Sequence, residues 1–179
     1  MPRANQQIWT IGHSTHAWPE FLARLQGAKI EALADVRRFP ASRRHPQFNG
    51  AAMRTALAEA GIAYHHFEAL GGRRHSATTD SPNTAWRVAA FNAYADHAAS
   101  AEFQTTVNEL ETLAAEKHTA IMCAEALPWQ CHRRVLADVL IARGWKVLDI
   151  FPDGKIKPHL LTEFARVEGE HVTYPSLLT

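Results

Sequence analysis

Short apolar runs alternate along the chain with longer stretches whose apolar residues recur at helical spacing. Gln7-Ile8-Trp9-Thr10-Ile11, ended by Gly12, is β-prone and predicts a first strand. Ile30 to Val36, Ile62 to Phe67, Thr119 to Cys123 and Trp145 to Ile150 predict four more. Phe21, Leu22 and Leu25 fall on one face of a helix beginning near Trp18-Pro19-Glu20, with Ser14 or Thr15 as its cap and the proline tolerated in the first turn. Ala51 to Ala60 reads as a helix with Met53 and Leu57 inward and Gly61 as its stop. Helices are also expected over Ala85 to His97, Ala101 to Glu116 and about Cys131 to Arg143, with a short one around Leu160 to Arg166.

Strands alternating with helices predict an α/β fold: a single domain built on a mostly parallel sheet of about five strands, covered by helices on both faces. The domain is expected to span residues 1–179, with its core at about 8–150 and a tail at 151–179. In such a sheet ligands bind beyond the carboxyl ends of the strands. Those ends carry His13-Ser14, Asp35 to Arg37, His66 to Arg74 and Cys123 to Glu125. The polar, proline-containing loop Arg37 to Asn49 and the Ser, Thr and Asp-rich loop Ser76 to Thr84 are expected on the surface.

Composition narrows this picture. With 46% hydrophobic and 21% charged residues in 179, the chain is too apolar for a disordered protein and long enough to bury a full core. No apolar run approaches bilayer length, and Met1 to Gln7 lacks the apolar stretch of a secretory signal, so a cytoplasmic location and no membrane partner are expected. Two cysteines, Cys123 and Cys131, do not suggest a disulfide scaffold. Net charge is only +1, but the cations cluster: Arg37, Arg38, Arg43, Arg44 and His45; then Arg73, Arg74 and His75; then His132, Arg133 and Arg134. Each cluster lies at or just after a predicted strand end, which points to an anionic ligand at a defined place.

Asp35 and Arg37, two apart on a strand end, leave on the same face. They read either as a structural ion pair or as part of the site, with Arg37 and Arg43 offering planar donor forks to a phosphate or carboxylate. Glu125 is the leading candidate for acid, base or nucleophile, against a plain helix-capping role. Cys131, His132 and Arg133 lie near a helix start, where anions are favoured. The two cysteines remain open between core packing, a metal site with a distant histidine, and a reactive thiol. His13 and Ser14 are candidates for contacting substrate or capping a helix; Tyr64 or Trp129 could stack on a base or simply cover the pocket.

Taken together these segments resemble the bacterial and archaeal domain-of-unknown-function family 488. The matching residues are Thr10-Ile11-Gly12-His13-Ser14; Asp35-Val36-Arg37 with Pro40, Ser42-Arg43 and Phe48; Tyr64 with Leu70-Gly71-Gly72; and Met122-Cys123-Ala124-Glu125 with Pro128, Cys131-His132-Arg133 and Ala137-Asp138. The resemblance implies a compact α/β domain with a polar pocket built from these segments. DNA-repair labels carried by some relatives make nucleic acid one of the ligands it implies.

The expected activity is hydrolysis of an N-glycosidic bond, in a modified or damaged base of DNA or in a nucleotide. Glu125 or Asp35 would be catalytic, with His13, Ser14, Arg37, Arg43, Tyr64, Gly71, Gly72, Trp129, Cys131, His132 and Arg133 binding substrate. No cofactor or resident metal is expected. Two other readings stand beside it: a non-catalytic module that binds nucleic acid or a phosphorylated metabolite, and a thiol- or metal-dependent enzyme using Cys123, Cys131 and His132.

Overall fold

The computed structural model describes residues 6–74 and 80–176; His75 and part of the Ser76 to Thr84 loop lie outside the described residues. Its main elements in chain order are β1 (Gln7–Gly12), α1 (Trp18–Gly27), β2 (Ala32–Asp35), α2 (Gly50–Glu59), β3 (Ala63–His66), α3 (Ala89–Ala98), α4 (Ala101–Glu116), β4 (Thr119–Cys123), α5 (Arg133–Ala142), β5 (Lys146–Ile150), β6 (Ile156–Pro158), β7 (Arg166–Glu168) and β8 (His171–Thr173). Six strands form one sheet in the order β3-β2-β4-β1-β5-β6. The first five are mutually parallel, and β6 adds an antiparallel edge through Ile150 opposite Ile156.

Period-two alternation divides the core between the two faces of this sheet. Trp9, Ile11, Leu33, Ala120 and Met122 pack against Phe21 and Leu25 of α1 and Met53 and Leu57 of α2. Their strand neighbours Ile8, Ala34, Ile121 and Cys123 turn the other way, against Tyr94 of α3, Phe103 and Val107 of α4, and Val135 and Leu136 of α5. Each fully buried Leu, Ile, Val, Phe or Met among them contributes about 2 kcal/mol relative to exposure. The layers separate the connections: those leaving β1 and β2 go to one face and the one leaving β4 goes to the other. A crevice therefore opens at the carboxyl ends of β2 and β4, the geometry in which parallel sheets hold ligands.

Several boundaries differ from the sequence expectation for local reasons. Neither Ser14 nor Thr15 caps α1; the cap position is Ala17, with no side-chain bond, because Ser14 is drawn into the strand-end loops by its N–H to the Ala124 carbonyl (2.9 Å). The helix expected from Ala85 begins only at Ala89, since Ala85 N–H is bonded to the Tyr174 carbonyl and the Trp86 ring stacks on Phe91. No helix forms over Leu160 to Arg166. Thr162 N–H donates to the buried Asp138 carboxylate (3.1 Å) instead of to a carbonyl four residues back, and Leu160 is 83% exposed, so no apolar stripe is buried there. The tail instead supplies β6 and the β7–β8 hairpin. Among the described residues no helix is long and apolar enough to cross a membrane.

Candidate functional site

The end of β2 is built around a buried ion pair. Asp35 is wholly buried, and both of its oxygens are taken: Arg37 donates from Nε (2.9 Å) to Oδ1 and from Nη2 (2.7 Å) to Oδ2, while the Tyr64 hydroxyl donates to Oδ2 (2.6 Å). The bidentate fork supplies the hydrogen-bonding partner that a buried carboxylate needs. Burial, then the bond to Asp35, pushes the Tyr64 hydroxyl above its ordinary range, so it remains a donor. The remaining Arg37 nitrogen, Nη1, lies 3.4 Å from His13 Nε2. His13 stacks on Phe48 with ring centres 4.4 Å apart, and its Nδ1 donates to the Ser14 carbonyl (2.9 Å). Burial pulls its pKa down to about 4, so the imidazole is neutral and Nε2 accepts from Arg37.

The end of β4 is held by a second buried arginine. Arg133, wholly buried at the start of α5, donates to Cys123 Sγ (3.3 Å) and to the Ala126 carbonyl (3.1 Å). It therefore clamps the Cys123–Ala126 turn from behind and fixes the backbone that bears Glu125. Burial lowers its pKa to about 10, with Asp149 and Glu125 acting in the opposite sense, and it stays charged. From the other side β1 closes on the same turn: His13 N–H bonds the Cys123 carbonyl (2.9 Å). A side chain at Gly12 would collide with the Glu125 carbonyl, so the residue beside this turn must be glycine.

His132 links the two strand ends. Its Nε2 donates to the Val36 carbonyl (3.0 Å), which fixes the tautomer and leaves Nδ1 bare, 3.5 Å from Cys131 Sγ. Burial pulls its pKa down to about 4. Gly72 approaches so closely that a Cβ there would lie 2.9 Å from His132 Nδ1. Tyr94 packs on the imidazole with centres 4.9 Å apart and donates to the Leu70 carbonyl (2.8 Å), tying α3 to the turn after β3. The sulfur atoms of Cys123 and Cys131 meet beside His132, with the two Cα atoms 7.3 Å apart. Among the described residues no group of three or more His, Cys, Asp or Glu side chains is arranged to hold a metal ion.

The ends of β2 and β4, the turn after β3 and the first turns of α3 surround a cavity of about 400 Å³, within the range of small-molecule sites. Of the residues singled out from the sequence, Arg37, Gly72, Cys123, Glu125, Cys131 and His132 line it. His13, Tyr64 and Asp35 stand behind it as the buried support of Arg37, and Arg133 stands behind Glu125. Gly71 packs against the Arg38 backbone. Ser14, Arg43 and Trp129 are not among the lining residues; Arg43 is exposed, and Trp129, 52% exposed, lies beside Phe151. Sequence reasoning missed Phe39, Phe91 and Tyr94 as lining residues, and it counted Arg38 and Arg73 as clustered cations without placing them in the site. For Arg38 and Arg73 the position just after a predicted strand end was the available signal; Phe91 and Tyr94, within α3, had none.

A family model described as "Domain of unknown function DUF488" matches residues 17–140, more than half of the chain. The chain belongs to the DUF488 family. No curated protein and no solved structure matches it. The matched DUF488 span contains the ends of β2, β3 and β4 and most of α5, and with them every residue that lines the cavity.

Proposed function

We propose that this DUF488 chain is a hydrolase that cleaves the N-glycosidic bond of a modified or damaged base in DNA, or of a nucleotide. One observation carries the reading. Glu125 is the sole carboxylate among the described residues lining a cavity that also presents Arg37, Arg38 and Arg73 together with Phe39, Phe91 and Tyr94. Guanidinium groups suit phosphate oxygens, aromatic rings suit a base, and a lone carboxylate suits the positive charge that develops on the sugar as the bond to the base lengthens.

In this mechanism water adds to the anomeric carbon, the carbon–nitrogen bond breaks, and its electron pair leaves with the base. Glu125 faces the oxocarbenium-like sugar and takes the proton of the attacking water; the departing base is protonated from solvent. Asp35, with both oxygens bonded to Arg37 and Tyr64, holds Arg37 in place rather than meeting substrate. Incubating the protein with a panel of modified nucleosides, nucleotides and oligonucleotides, with free base scored by mass spectrometry, tests the activity. Glu125→Gln is expected to slow release at least about 100-fold while substrate affinity changes little. Full activity in that variant removes Glu125 from the mechanism. No release from any member of the panel, with retained phosphate-dependent binding, replaces the hydrolase by a binding module for nucleic acid or a phosphorylated metabolite.

A further inference from the structure

The cavity does not end at its arginine rim. Arg38, Phe39 and Arg73 also line an adjoining, more open groove of about 1060 Å³, whose other walls include Arg74, Trp86 and Arg87. Four arginines and no carboxylate among the described residues face this groove, on a chain whose net charge is only +1. Such one-sided charge in a confined channel focuses field on an anionic ligand. A nucleotide seated in the inner cavity needs one or two phosphate partners, so the groove holds more cation than a mononucleotide can use.

Position adds to charge. Phe39 is 57% exposed although it is a large apolar side chain, and it stands where cavity and groove meet, with the Arg38 guanidinium 5.3 Å from its ring centre. Trp86, by contrast, is already occupied by Phe91 on one contact and by Arg134 on another (5.2 Å), so it forms wall rather than platform. An exposed ring between a base-sized cavity and an arginine channel is the arrangement that holds a run of stacked nucleotides by its backbone.

We infer that the groove of Arg38, Arg73, Arg74 and Arg87 binds the phosphodiester backbone of single-stranded nucleic acid flanking the nucleotide in the cavity, with the adjacent base stacked on Phe39. The inference rests on the nucleotide reading of the cavity and deepens it: the substrate is a polynucleotide, not a free nucleotide.

Fluorescence anisotropy with a labelled twelve-residue oligothymidylate, competed by thymidine monophosphate, tests it. The oligonucleotide is expected to bind at least about tenfold more tightly than the monophosphate. The slope of log affinity against log salt should be about −3, at roughly 0.7 per phosphate contact for a single strand. Arg87 is exposed and lines only the groove, so Arg87→Glu should fold, lower the ratio of the two affinities about tenfold and make the salt slope shallower by about one. Phe39→Ala should weaken the oligonucleotide about tenfold as well. Equal affinity for oligonucleotide and monophosphate, an oligonucleotide affinity indifferent to Arg87→Glu, or equally tight binding of a labelled polyglutamate peptide would each overturn the inference. Failure here is separable from failure of the hydrolase. Base released from nucleotides without preferential oligonucleotide binding removes the groove alone, whereas tight oligonucleotide binding without base release removes the hydrolase and leaves the groove.

Discussion

The wall of the cavity and the C-terminal edge of the sheet both bury histidine, and they leave it in opposite charge states. At the cavity, His13 and His132 are bonded to backbone carbonyls and have arginines nearby, and burial pulls both pKa values down to about 4. At the edge beyond β6, His159 lies between two buried carboxylates, with Nδ1 2.8 Å from Asp149 and Nε2 3.4 Å from Asp138. Burial opposes the charge there too, but the bonds and charges of Asp138 and Asp149 outweigh it and push the pKa up to about 9. Similar burial thus gives a neutral ring in one place and a cation in the other, and the partner decides which. The same contrast separates the arginines: Arg37 is matched by a carboxylate fork, whereas Arg133 has a carbonyl and a sulfur.

The contrast can be broken most sharply at Asp35. Asp35→Ala strands Arg37 in a buried position and is expected to cost about 4 kcal/mol in urea denaturation, since an unpaired buried charge is penalised far more than a lost contact. A loss under 1 kcal/mol would show that Arg37 escapes to solvent. Next in size, His159→Ala leaves Asp138 and Asp149 without their cation and is expected to cost about 3 kcal/mol near neutral pH. Here the sign of the pH dependence separates the two regions. The folded pKa of His159 is raised above 6.5, so its contribution is complete below about pH 6.5 and is lost as pH climbs through about 9. Wild-type stability should therefore fall over that alkaline interval, and His159→Ala should flatten the fall.

The smallest effect is expected at His132. Its folded pKa is depressed, so the unfolded chain binds the proton more readily, and stability falls as pH drops from about 6.5 toward 4. His132→Gln should cost about 1 kcal/mol at pH 7 through the lost bond to the Val36 carbonyl, and should make the acid limb of the stability profile shallower. An unchanged acid limb would assign that limb to other groups.

Much of this architecture was legible in the chain. Alternating runs such as Trp9-Thr10-Ile11 and Ala120-Ile121-Met122 marked parallel strands because a strand buried on both faces has few polar positions to confuse its pattern. The β4 prediction, Thr119 to Cys123, agrees with the structure residue for residue. The tail was misread because Ile156 to Pro158 and Arg166 to Thr173 are short, mostly exposed strands held by pairing partners rather than by an apolar period. The aromatic lining of the cavity was hidden because Phe39, Phe91 and Tyr94 come from a loop and a helix whose approach to the strand ends no local pattern announces.

The sequence by itself determined that strands and helices alternate, that arginines and acids gather at strand ends, and that glycines stand beside them, since all three follow from local periodicity and chain order. Only the tertiary structure decided that Asp35 spends both oxygens on its neighbours while Glu125 faces the cavity, and that two histidines are neutral while a third is charged. Those outcomes depend on desolvation and on partners brought from distant positions, and neither quantity exists until the chain has folded.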